Sequence, residues 1–163
     1  MSLAVFLSWL EASALGVAVR ASGVWAYAVI NLVHILGVAT LFGAILVLDL
    51  RLLGLWHRLP LTTVATPALP VAVCGVALAF LSGICLLATN GSEYVGNPFL
   101  LIKFPAIALG LCNVIAISRM SGWRARRQRE PLPRERRQLA YAGGLSLLCW
   151  LTAIAAGRLI GYW

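Results

Sequence analysis

Residues 24–48 read VWAYAVINLVHILGVATLFGAILVL, 25 positions without a charged side chain. A helix needs about 20 apolar residues to cross the roughly 30 Å hydrocarbon core of a bilayer. The run shows no alternation of polar and apolar residues, so it does not fit a strand of a membrane barrel. In hydrocarbon every backbone N–H and C=O must be paired within the chain, and a helix does this locally. The run is therefore predicted to be a transmembrane helix.

Three more long apolar runs follow, at residues 67–88, 99–118 and 139–160, the last two with one charge each, Lys103 and Arg158. The whole sequence agrees: 61% of its residues are hydrophobic and 11% charged, against about 25% charged in a soluble domain. The predicted fold is all-α and integral to the membrane, a single domain over residues 1–163 built as a four-helix transmembrane bundle. Residues 1–22 are predicted to form a short helix lying at the interface. Leu3, Phe6, Leu7, Leu10, Ala14 and Val17 share one helical face, which suits such a position. The alternative is a fifth crossing that turns back at residues 20–23. No Lys or Arg precedes Arg20, and Glu11 interrupts the apolar stretch, so the segment does not read as a cleaved signal.

The net charge of +8 is not evenly spread. Of 13 Lys and Arg residues, eight lie in residues 119–138, opposed by Glu130 and Glu135. The loop before residue 67 carries Arg51, His57 and Arg58, whereas the loop before residue 99 carries only Glu93. A basic cluster between spans is a topology signal, placing loop 119–138 in the cytoplasm and the C-terminus in the periplasm of a bacterial inner membrane. The same placement suits anionic lipid and removes the case for nucleic acid. Pro131 and Pro133 predict an extended, poorly ordered middle for that loop. Trp25, Tyr27, Tyr94, Tyr162 and Trp163 then fall at the outer interface, and Trp56, Trp123 and Tyr141 at the inner one.

Polar residues inside spans are the candidates for function. Asn31 and His34 are three apart in the first span, and by rise per residue His34 lies about 15 Å deep. Asn113 lies in the third. These three are the candidate cofactor-binding residues, with His34 as a ligand to haem b or a contact to a quinone. His57, the other histidine, sits beyond the end of the same helix and cannot supply a second axial ligand. The competing reading is a neutral His34 bonded to Asn113 or to a backbone carbonyl. Lys103, Arg158 and Glu11 are expected to form an outer polar rim. Asp49 and Arg51 are expected to be a paired anchor at the inner interface, Arg51 reaching lipid phosphate. Glycines at 37, 43, 75, 83, 143, 144, 157 and 161 predict close helix contacts. The four cysteines form no C-x-x-C pair and read as packing residues, and no metal is assigned.

The stretches His34–Gly37, Leu41–Gly43 and Asp49–Gly54, with Ser82-Gly83, Asn97-Pro98-Phe99, Lys103, Asn113 and Ala156-Gly157-Arg158, together resemble a family of uncharacterised bacterial four-span membrane proteins, a domain of unknown function. The resemblance implies fold and location and lends no activity. With no complete catalytic set, the expected role is a non-enzymatic accessory or scaffold subunit, joined to partner membrane subunits or to copies of itself. An electron-transfer subunit using His34 is the first alternative. A small-solute or ion transporter, with a polar path from Lys103 or Arg158 past Asn31 and His34 to Asp49, is the second.

Overall fold

A computed structural model describes residues 2–163; Met1 lies outside the described residues. Seven α-helices follow in order: α1 (Leu3–Ala12), α2 (Ala14–Ala21), α3 (Gly23–Leu52), α4 (Leu61–Thr89), α5 (Pro98–Arg119), α6 (Ser121–Arg124) and α7 (Pro133–Leu159). Among the described residues there is no strand. The helices α3, α4, α5 and α7 are each long and apolar enough to cross a membrane, so the chain is an all-α, multi-pass bundle.

Two helices extend beyond their apolar runs. The second span begins at Leu61 and carries Pro67 and Pro70 inside it, each leaving one carbonyl four residues earlier, those of Thr63 and Thr66, without its intrahelical donor. The fourth begins at Pro133, a residue suited to a first turn. The loop between α5 and α7 is accordingly shorter and better ordered than the two prolines predict. It contains α6 and a 3-10 turn at Ala125–Arg127. Glu135 accepts from Leu132 N–H at 2.8 Å and from both terminal nitrogens of Arg129, at 2.7 and 2.9 Å.

The bundle is two hairpins. The helix α3 packs along α4, α5 packs along α7, and the hairpins meet through α3 and α7. At the α3–α4 crossing the backbones touch. A Cβ on Gly37 would lie 2.6 Å from Ala79 N, and one on Gly75 would lie 2.9 Å from Gly37 O. By contrast, Gly43 and Gly161 meet nothing within 4 Å, so neither serves a helix contact within the chain.

The end of the bundle that carries the α3–α4 and α5–α7 loops holds the main core. There Leu52, Leu61, Ala65, Ile117, Trp123, Leu139 and Ala142 pack together from all four spans and α6. Trp123 is thus buried beneath the guanidinium of Arg126, 4.2 Å from its ring centroid, rather than placed in an interfacial belt. A smaller layer of Leu41, Ile45 and Trp150, backed by Phe42, Ala72 and Val76, fills the middle.

At the opposite end, α1 and α2 are two helices bent by 56°, not one. The break is Ser13, which caps α2 by accepting from Gly16 N–H. Leu7 of α1 is buried against Gly91, beyond the end of α4. Gly16 of α2 packs on the Ala88 carbonyl. Both helices therefore sit at the last turn of α4 and the loop that follows it. A turn at Gly23, with φ of +80°, then sends the chain into α3.

Candidate functional site

The polar residues singled out in the sequence are spread over three levels. Nearest the basic loops, Arg51 is buried and donates to the Leu59 carbonyl from Nε at 3.0 Å and from a terminal nitrogen at 2.7 Å. The same terminal nitrogen reaches Glu130 at 3.3 Å. The other oxygen of Glu130 accepts from Leu61 N–H at 3.0 Å, capping α4 from a distant loop. Arg51 and Glu130 therefore tie α3, α4 and the arginine-rich loop together. The expected Asp49–Arg51 pair does not form. Residues two apart on a helix point to opposite sides, and Arg51 spends its donors on protein rather than on lipid phosphate.

One turn further in, Asp49 is 2% exposed and points between α3 and α7, where its carboxyl faces the Ser146 hydroxyl. Its Oδ2 has no hydrogen-bond partner among the described residues. On the other flank of the same turn of α7, Asn113 donates to the Ala142 carbonyl at 2.9 Å. Asn113 therefore does not bond His34. Trp150, one turn beyond Ser146, is buried with its Nε1 also unpartnered among the described residues. Gly110 makes room for this indole, since a Cβ there would lie 3.3 Å from Trp150 Cε2.

Beyond the Leu41–Ile45–Trp150 layer lies the third level. His34 Nδ1 is 3.0 Å from the Ala79 carbonyl and 3.1 Å from Ser82 Oγ. A carbonyl only accepts, so Nδ1 carries the hydrogen and Nε2 presents a lone pair when the ring is neutral. Gly83 leaves space for the ring, with a Cβ there falling 3.1 Å from His34 Cε1. Lys103 of α5 lies within electrostatic reach of His34. Its stem rests on Gly157 of α7, and no hydrogen bond or ion pair to a described residue holds its ammonium.

The predicted groupings are thus redistributed. Asn31 is exposed on the outward side of α3, because α4 crosses on the flank that carries His34 and Gly37. The cofactor trio of His34, Asn31 and Asn113 is therefore not one cluster. Nor is the rim of Lys103, Arg158 and Glu11. Lys103 is part-buried against Gly157, and Arg158 stacks on and bonds Tyr162. Glu11 accepts from Ser92 N–H at 2.6 Å. Hydrogen bonds from Ser92 hold the Glu11 carboxyl below the ordinary carboxylate range, with help from the charge of Arg20. Arg20 itself donates to the Ala88, Thr89 and Glu11 carbonyls, closing the last turn of α4. The transport path fails in this conformation, since Leu41, Ile45 and Trp150 separate His34 from Asp49.

Three residues central to these levels were not candidates from sequence: Ser82, Ser146 and Trp150. A lone serine within an apolar run was a usable signal for the first two. Several of the scattered motif residues do meet in space. His34 meets Ser82-Gly83, and Lys103 meets Gly157. Asn97 caps α5 by accepting from Phe99 and Leu100 N–H, while donating to the Ile160 carbonyl at the end of α7.

Residues 6–163 match a family of unknown function (DUF6644), and the chain belongs to that family. No curated protein and no solved structure matches it.

Proposed function

We propose that this member of a family of unknown function is a non-enzymatic subunit of an inner-membrane assembly, joined to its partner through the outward face of α3. One observation carries the reading. Asn31, Ile35, Ala39 and Gly43 follow one another at intervals of four, and all are exposed along one ridge that winds slowly round α3. A carboxamide facing hydrocarbon without a partner is unfavourable, and small residues four apart let a second helix come close. An interhelical hydrogen bond of this kind contributes about 1 kcal/mol. Ala39 and Gly43 would supply the close approach, and Asn31 the polar contact two turns away. In this reading the arginine-rich loop is cytoplasmic and the C-terminus periplasmic. The exposed arginines, such as Arg124, Arg127 and Arg134, lie against anionic headgroups. The helices α1 and α2 rest on the periplasmic surface of the bilayer.

Purification in a mild detergent tests the reading. The wild-type chain is expected in a particle of fixed stoichiometry larger than one copy, and Asn31→Leu with Gly43→Leu is expected to release the single chain. A wild-type particle containing one chain alone contradicts it.

A second reading is favoured by His34. With Nδ1 anchored to Ala79, the Nε2 lone pair is free to accept from a quinol hydroxyl, and Lys103 supplies a donor for a quinone carbonyl. The same lone pair suits haem iron, and the anchored Nδ1–H is the partner such a ligand usually has, but the site offers haem b only one axial nitrogen. Solvent extraction of the purified chain should recover quinone, and His34→Ala should lose it. A Soret band abolished by His34→Ala would select haem instead.

A further inference from the structure

We propose that Asp49 is a proton-carrying carboxyl inside the membrane, exchanging its proton with the side of the arginine-rich loop. The inference stands apart from the assembly reading, because Asp49 is enclosed against α7 and the proposed contact uses exposed residues of α3.

The placement of Asp49 is the starting point. Its side chain is almost wholly enclosed, with Oδ2 unpartnered and Ser146 opposite its carboxyl. The charged and titratable groups on every neighbouring element are directed elsewhere. On α3, Arg51 is committed to Leu59 and Glu130. On α5 and α7 the nearest polar side chains are Asn113 and Ser146, both neutral. On α4 the packed residues at this level are Leu61, Ala65 and Leu69. Lys103 and His34 lie beyond the Leu41–Ile45–Trp150 layer.

An ionised carboxylate without a facing cation is costly to bury. A neutral acid is not, since its hydroxyl and carbonyl need only ordinary hydrogen bonds, one of which Ser146 supplies. Asp49 therefore rests as the acid and gives up its proton only when water reaches Oδ2. Such an intramembrane carboxyl is by default a candidate for function.

A pocket approaches the carboxyl from one side without reaching it. It lies at the basic end and is lined by Arg51, Leu52, His57, Glu130, Arg136 and Leu139. Leu52 is one turn from Asp49, and Leu139 one turn from Gly143, which packs on Leu52 and on the Asp49 carbonyl. A shift of these two leucines would join pocket and carboxyl. Arg51 and Arg136 make the same pocket unfavourable for a metal cation, which selects the proton as cargo.

Infrared spectra of the whole chain in lipid discs, with wild type and Asp49→Asn compared, give the test. At neutral pH the wild type should show one protonated-carboxyl band that Asp49→Asn lacks, and the band should vanish reversibly in alkali. Ser146→Ala keeps the carboxyl and should shift that band. Labelling of Asp49 by dicyclohexylcarbodiimide, which requires the acid form, should fall about tenfold per pH unit once ionisation dominates. It should not respond to sodium chloride. Identical wild-type and Asp49→Asn spectra at neutral pH would overturn the proposal. Protection from labelling by sodium at constant pH would also overturn it, in favour of a metal-cation site.

Discussion

The two halves of this bundle handle a cation on a spanning helix in opposite ways. In the basic half, Arg51 is enclosed, but each of its contacts is with a carbonyl or with Glu130, and the apolar core closes around them. In the other half, Lys103 is part-buried against Gly157, with no partner for its ammonium among the described residues. That half has no core cluster to match the one around Leu52 and Trp123. The lesson is that a paired cation belongs to the architecture, whereas an unpaired one is left over by it and is available for a ligand.

Substitutions at the two cations and at the helix crossing can break this contrast. Gly75→Leu should do the most damage, because its side chain would enter the backbone of α3 near Leu41 and Gly37; loss of folded protein in detergent extracts is expected. Arg51→Met should lower resistance to denaturing detergent by about 2 kcal/mol, since the Leu59 carbonyl and Glu130 lose their donor. Glu130 is part-exposed and partly rehydrates, which keeps the figure at that level. Lys103→Met should leave stability unchanged or raise it, because no contact is lost and a desolvated charge is removed. If Lys103→Met proved as harmful as Arg51→Met, the contrast between the halves would be wrong.

The smallest effect concerns the junction of α1 with the loop after α4. The Glu11 carboxyl is held below its ordinary range, so its contribution is present above the unfolded-state value and lost as pH falls through the folded one. Hydrogen exchange at Ser92 N–H should speed up in acid and stay slow at neutral pH. Glu11→Gln should flatten that dependence.

Much of this fold was legible because hydrocarbon imposes a simple rule on sequence. Apolar runs of 20 or more residues, with no more than one charge in any of them, located all four spans. Their ends were less legible, since Leu61–Thr66 and Pro133–Gln138 are polar enough to read as loop yet are held helical by Glu130 and by Glu135. The site was legible only as a set of residue types. His34, Asn113, Asp49 and Lys103 stood out for being polar in an apolar run. Which of them meet depends on helix rotation, and the four-residue spacing of glycines does not fix that. Asp49 and Arg51 show the limit most clearly, because a helix turns through 200° between residues two apart, which separates an apparent pair.

A photo-crosslinking residue placed at position 39 on α3, compared with position 109 on the exposed side of α5, tests the assembly reading in native membranes. Crosslinking from position 39 to one discrete protein partner, with position 109 labelling only lipid, is expected. Lipid labelling alone from both positions would contradict it.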